Sequence, residues 1–340
     1  MNPENPSESA TPSVLLVCQA SPEIGLGHLS RMLVLARTML GESLLSPHVL
    51  IVGEPLKRDA LNKLSHAFLP ATADFSSAVV QQVDLHACSV VVFDLHPKLI
   101  PGDMAELLSM LRSRNVRTVG VDSLLGLCAE LDLVWVPTFC LPDDKKPVQC
   151  QNVEFGWKTF LLRQPLPHGD WEPGSRVLVL TGGGDTAQQG ETLSTLLDAA
   201  LGAGTDVHWV RGPFALAPRL PLAPRLQWTV HHAPQGLDHL MLQCNYAIAI
   251  FGVSFFELLQ YGVPTVVYSP YGGKDDFELE ALQMEQVACV ASDANDAARQ
   301  LADLMRDNGM ARDFSSRSKH LLSANGGQAL VSRILELSRS

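Results

Sequence analysis

Short runs of β-branched and aliphatic residues, each followed by a segment with apolar positions three and four apart, alternate from residue 14 toward the C-terminus. A strand period that gives way to a helical period in this manner predicts parallel strands joined by crossover helices, an α/β architecture. In the first half the strand candidates are residues 14–18, 48–52, 89–94, 116–122 and 131–136. Between the first two, Leu29, Leu33, Ala36 and Leu40 share one helical face, and Gly41 is placed to end that helix. The run RQPLPHGDWEPGS at 163–175 carries three prolines and two glycines, which neither a helix nor a central strand tolerates. Beyond it the alternation restarts at 176–181, 206–211, 226–230, 245–251 and 264–268, and closes on a helical stretch at 328–338.

The pattern divides the chain into a frayed tail at 1–13, a first doubly wound domain at 14–165, and a second at 176–325. Residues 326–340 form a last helix able to cross back over the first domain. Two parallel-sheet domains of similar size enclose a cleft between the carboxyl ends of their strands, where ligands of such folds bind.

Composition narrows the function classes. Of 340 residues, 46% are hydrophobic and 18% charged, which excludes an intrinsically disordered chain. Twenty-five basic against 36 acidic residues give a net charge of −11, so no diffuse cationic field draws the protein to nucleic acid or to an anionic membrane. The cysteines at 18, 88, 128, 140, 150, 244 and 289 include no Cys-x-x-Cys pair, so neither a zinc ribbon nor a disulfide framework is indicated and a reducing compartment is expected. The first thirteen residues have no basic and apolar leader, and no later apolar run reaches the ~20 residues of a membrane span. These features predict a cytoplasmic protein without stable membrane insertion.

The chemistry-bearing residues fall on loops that follow strands. After the first strand comes SPEIGLGH (21–28), running straight into a helix. Gly25 and Gly27 permit a tight turn and close ligand approach, and His28 is placed to project into the cleft as a base, with Arg31 one turn further on. The plain alternative is a βα turn with a histidine in its first helical turn. Near the second domain's start, TGGGD (181–185) brings Gly183 and Gly184 to a strand end but lacks the lysine of a P-loop and the spacing of a dinucleotide fingerprint. In FGVSFFELLQYGVP (251–264) a strand delivers Gly252 to a helix start, so the N–H groups around Gly252, Val253 and Ser254 are placed to hold a diphosphate. Glu257, one turn on, is placed to accept bonds from ribose hydroxyls, while Phe255 and Phe256 read as core. The Asp275-Asp276 pair reads as solvated, His231, His232 and His239 read as structural, and no metal or other cofactor is assigned.

Together these segments resemble the GT-B nucleotide-sugar enzymes, and within them the UDP-sugar hydrolases of pseudaminic acid biosynthesis and their spore-coat polysaccharide relatives. The resemblance spans roughly 14–335 and rests on GLGHLSRMLVLA (25–36), VVVFD (90–94), VGVDS (119–123), VEFGWKTFLLR (153–163), LVLTGGGDTAQQ (178–189), VRGPF (210–214) and GVSFFELLQYGVP (252–264). It implies two Rossmann-like domains and a UDP-linked sugar as substrate. It also implies His28 as the base that activates the attacking water, Glu257 on the ribose, and Gly252 to Ser254 on the diphosphate. Where that family has Asp-x-Tyr this chain has Asp94-Leu95-His96, which brings Asp94 and His96 in as catalytic candidates. Where it has Asp-Asp this chain has Asp122-Ser123, and its sugar-side Asn-Gln loop is here GGKDDFE (272–278). Gly27, Arg31, Lys274 and Asp275 are the expected substrate contacts. Hydrolysis of the UDP-sugar is the leading expectation, transfer to an acceptor hydroxyl the alternative, and a nucleotide-sugar binding protein without turnover the third.

Overall fold

A computed structural model of the protein describes residues 11–57, 59–96, 102–143, 146, 150–185 and 187–340. The expected frayed tail and Pro97 of the loop beyond His96 fall wholly or mostly outside these residues. The first half runs β1 (Ser13–Gln19), α1 (Gly27–Glu42), β2 (Ser46–Val52), β3 (Ser65–Leu69), α2 (Phe75–His86), β4 (Cys88–Asp94), α3 (Met104–Arg112), β5 (Arg117–Val121), β6 (Leu133–Trp135) and β7 (Val153–Glu154). The second half contains β8 (Arg176–Leu180), α4 (Leu193–Ala200), β9 (Asp206–Arg211), β10 (Gln227–His232), α5 (Asp238–Gln243), β11 (Tyr246–Ile250) and α6 (Val253–Gln260). It ends with β12 (Thr265–Tyr268), α7 (Asp276–Glu285), β13 (Cys289–Val290), α8 (Ala294–Leu304), α9 (Asn308–Leu321) and α10 (Gly326–Arg339).

The strands form two wholly parallel sheets, one of seven strands in the order β3-β2-β1-β4-β5-β6-β7 and one of six in the order β10-β9-β8-β11-β12-β13. Both faces of each sheet are buried, which explains why β1 (SVLLVCQ) and β4 (CSVVVFD) are continuous apolar runs and not alternating ones. Aspartates cap the helices where the chain leaves a loop: Asp74 accepts from Ser77 N–H at 3.1 Å ahead of α2, and Asp103 from Ala105 N–H at 2.9 Å ahead of α3.

In each sheet the strand order reverses beside the first strand, at β1/β4 and at β8/β11. Chains leaving these neighbouring strands cross to opposite faces, which opens a crevice at their carboxyl ends. The loops of interest follow those four strands.

The structure departs from the sequence expectations at several points. Helix α1 continues through Gly41 and ends at Ser43, which takes the left-handed conformation at φ 54°. Gly41 keeps helical φ and the left-handed residue that ends the helix comes two positions later, at Ser43. β3, β7 and β13 were not expected: β3 carries exposed Ser65 and His66, and the other two are two residues long, too short for a periodicity to show. Cys128 and Cys150 form a disulfide across 22 residues, against the expectation of reduced cysteines throughout. The bond ties the turn after β5 to the approach to β7, a proximity set by the parallel sheet and not by any local cysteine motif.

Helix α10 packs against α1, placing Leu330, Val331 and Ile334 in the core of the first sheet although the chain has just left the second. Gly326 makes this approach possible, since a Cβ there would stand 2.4 Å from the Phe160 carbonyl oxygen. The crossing is reinforced by an aromatic cluster in which Phe160 lies 4.1 Å from Phe256 of α6 and Trp157 stacks on Phe139 at 4.7 Å. No helix among the described residues is long and apolar enough to cross a membrane. Ile334 is fully buried, so Ile334→Ala should lower the unfolding free energy by about 2–5 kcal/mol in chemical denaturation. A loss below about 1 kcal/mol would mean that α10 does not contribute to the core of the first domain in solution.

Candidate active site

β1 and β4 run side by side with Cys18 opposite Asp94, so the residues that follow β1 meet the end of β4. The loop after β1 turns through Gly25 at φ 79° and enters α1, which sets His28 in the first helical turn and Arg31 one turn later. Both side chains converge on Asp94, which has no solvent exposure at all. His28 Nδ1 lies 2.6 Å from Asp94 Oδ1. Arg31 grips the same carboxylate with two donors, Nε to Oδ2 at 2.8 Å and Nη2 to Oδ1 at 2.7 Å. Arg31 Nη2 also reaches Asp122 Oδ2, at 2.9 Å, from the turn after β5.

The donor count fixes the proton on His28. An ionised carboxylate only accepts, so the 2.6 Å contact requires Nδ1–H to point at Asp94 and leaves Nε2 as the acceptor in the neutral ring. Arg31 Nη2 lies 3.1 Å from the same Nδ1, but its hydrogens are directed to Asp94 and Asp122, so that approach is not a hydrogen bond. Burial by itself would raise the Asp94 carboxyl, yet Arg31 first and His28 second hold it below the usual carboxylate range. Burial likewise opposes the charge on Arg31, and the two aspartates outweigh it and push the guanidinium upward.

His96 follows β4 and its backbone N–H donates to Gln19 Oε1 at 2.6 Å. Its ring stands edge-on to that of His28 at 6.4 Å, so the two histidines share one end of the crevice.

Across the crevice the second domain presents two glycine turns. Gly182, at φ 86°, Gly183 and Gly184 follow β8, and a Cβ on Gly183 would lie 3.7 Å from the Leu26 amide nitrogen of the first domain. Gly27 faces Val253 Cγ2 at 3.9 Å in the same sense. The β1 loop therefore abuts both the β8 loop and the start of α6. Helix α6 opens at Gly252, φ 155°, with no side-chain cap, which leaves the amides of its first turn, from Val253 and Ser254 on, without the usual cap. Phe255 and Phe256 are buried in the core of the second domain.

Glu257 is nearly buried and accepts from Arg163 Nε at 3.2 Å. Burial raises its carboxyl even with that guanidinium beside it. Arg163 belongs to the linker and also donates to Asp238 Oδ2 at 3.0 Å. Lys274 and Asp275 lie in the loop between β12 and α7, where Ser269 Oγ donates to Asp275 Oδ2 at 2.5 Å and the Lys274 ammonium stands 5.7 Å over the Tyr271 ring. The structure thus brings Gly27, His28, Arg31, Asp94 and His96 to the strand ends of the first sheet, and Gly183, Gly184, Gly252, Val253 and Ser254 to those of the second, with Glu257 one turn into α6 and held against Arg163. Sequence reasoning did not assign Arg163, nor the link between Arg31 and Asp122. Both are contacts between segments far apart in the chain, and an arginine before a proline-rich linker carries no local signal. Among the described residues no group of three His, Cys, Asp or Glu is arranged to hold a metal ion.

No protein-family model matches the sequence, and no curated protein matches it. Solved structures do. MurG of Acinetobacter baumannii superposes with a TM-score of 0.64 at 13% identity, over 96% of this chain and 100% of that one. TcCGT1 in complex with UDP gives 0.65 at 11% identity, over 97% and 100%. The spinosyn rhamnosyltransferase SpnG complexed with thymidine diphosphate gives 0.61 at 13% identity, over 95% and 99%. The fold is GT-B. At these identities the likeness carries the two-domain architecture over the whole chain, and the chemistry rests on the residues described above.

Asp94 is the acceptor of three hydrogen bonds and the counter-charge of a buried guanidinium. Asp94→Asn should therefore cost about 3–5 kcal/mol of stability, as when one partner of a buried ion pair is removed. Denaturant titration checks this, and an unchanged midpoint would show that the network does not form.

Proposed function

We propose that the protein is a glycosyltransferase that takes a nucleoside diphosphate sugar, UDP-linked in the first instance, into the crevice and passes the glycosyl group to an acceptor hydroxyl. The observation that carries this reading is the His28–Asp94 pair at the switch point of one sheet, facing two glycine turns at the switch point of the other. UDP or thymidine diphosphate in solved structures of the same architecture supports it.

His28 acts as the base. Its Nε2 takes the acceptor proton as the acceptor oxygen bonds to the anomeric carbon, and the bond from that carbon to the diphosphate oxygen breaks with its electron pair going to the diphosphate. Asp94 holds the Nδ1–H tautomer and balances the imidazolium that forms. The uncapped amides of Gly252, Val253 and Ser254 receive the charge of the leaving diphosphate, and Gly183 and Gly184 allow its close approach. Glu257, kept in place by Arg163, receives the ribose hydroxyls, while Gly27, His96, Lys274 and Asp275 line the side where the sugar sits. Arg31 acts on this site through Asp94 and Asp122.

Nucleotide release from a panel of UDP-, thymidine diphosphate-, GDP- and CMP-sugars, with and without candidate acceptors, tests the reading. Transfer predicts release that depends on an acceptor. Equal release in water alone would establish the hydrolase implied by the sequence resemblance, and tight binding with no release would establish a binding protein. On the active donor, His28→Asn should lower kcat by about 10² to 10⁴ with UDP affinity nearly intact. Retained kcat would transfer the role of base to His96, whose ring is 6.4 Å away. Glu257→Ala should weaken UDP by about 1.5–3 kcal/mol in calorimetry, as expected for a lost charged hydrogen bond. Unaltered affinity in the folded variant would remove Glu257 from the nucleotide site.

A further inference from the structure

The His28–Asp94 pair does not stand alone, and the groups around it determine how it titrates. Among the described residues, four charged or titratable side chains face it besides its own members: Arg31 from α1, Asp122 from the turn after β5, His96 from the loop after β4, and the buried Cys18 thiol of β1. Only one of these, Arg31, both contacts Asp94 and is a fixed cation. Asp122 in turn contacts Arg31 and is half-exposed, with 39% of its side chain accessible.

We propose that Arg31 and Asp122 are positioning residues that set the proton affinity of the His28–Asp94 pair, with Arg31 cancelling the charge of Asp94 and Asp122 partly cancelling that of Arg31. The inference rests on the reading of His28 as base. A buried carboxylate facing an imidazole raises the proton affinity of that ring, and a ring already carrying its second proton accepts nothing from an acceptor hydroxyl. With Arg31 on both carboxylate oxygens, the guanidinium shares the Asp94 charge that the imidazole would otherwise face alone. The pair then keeps its orienting Nδ1–H bond while the guanidinium, and not a second ring proton, meets the carboxylate charge.

The two substitutions must act in opposite directions, which a merely structural role would not produce. Removing the cation in Arg31→Met leaves His28 and Asp94 facing each other, so the pair binds its proton at higher pH, by about 1–3 pH units. Removing the anion in Asp122→Asn strengthens the effect of Arg31, so the pair binds its proton at lower pH. Arg31→Lys keeps the charge and loses the fork, so the titration should stay near that of the native protein while kcat falls.

The readout is the imidazole titration of His28 by NMR, assigned by the signal lost in His28→Asn, alongside the pH profile of kcat/KM on the active donor. We expect the acid limb of the profile to move with the titration, upward in Arg31→Met and downward in Asp122→Asn. Shifts in the same direction, or no shift in folded protein, would overturn the proposal. If Arg31→Met does not fold, Asp122→Asn and Arg31→Lys still decide it, because an unmoved His28 titration in Asp122→Asn is itself a refutation. Because the NMR titration needs no turnover, it decides this inference even if no nucleotide sugar is turned over, an outcome that would refute the proposed function alone.

Discussion

A carboxylate with no exposure at the end of a central strand is stable only if its charge is met on the spot, because desolvating it otherwise costs several kcal/mol. In this protein Asp94 is met from two sides by a single helix. Arg31 supplies the charge with two donors, and His28 supplies a third hydrogen bond from the turn before. The tautomer of His28 follows from satisfying that one group, and Arg31 extends the network to Asp122 in the turn after β5, while the apolar face of α1 seats the helix on the sheet. The stabilising network and the candidate base are the same atoms, so this end of the first domain cannot be altered for one purpose without affecting the other.

The doubly wound topology then turns two separate glycine-rich loops into one site. Each sheet opens a crevice where its strand order reverses, and the domains are joined so that these crevices oppose each other, with Gly27 against Val253 and Gly183 against Leu26. Small residues at these positions let the two walls approach without side chains filling the space a ligand needs. The linker and α10 hold this arrangement. Arg163 fastens the linker to α5 and α6 through Asp238 and Glu257, Leu166 N–H donates to Tyr261 Oη at 2.9 Å, and α10 returns to bury Leu330, Val331 and Ile334 under the first sheet. Arg163 thereby links the relative placement of the domains to the glutamate proposed to meet the ribose.

Alternating apolar runs, the proline-rich break at 163–175 and the glycines before α1 and α6 were enough to read an α/β chain with two parallel sheets and a cleft. These are local properties. A parallel strand buried on both faces must be apolar throughout, and a loop that turns sharply into a helix needs glycine, whatever surrounds it. The pattern also marked His28 and Glu257 as polar groups in first helical turns after glycine loops, and the family resemblance added Asp94 at a strand end. What the sequence did not contain is which of them touch. Asp94 lies 66 residues from His28, and Glu257 lies 94 from Arg163, distances over which no periodicity operates. Only the packed sheets decided that Arg31 turns inward to two aspartates, that Cys128 meets Cys150, and that α1 passes Gly41 before it stops. The reason is the same in each case: these outcomes depend on desolvation and on distances between strands, and both exist only once the sheets have formed.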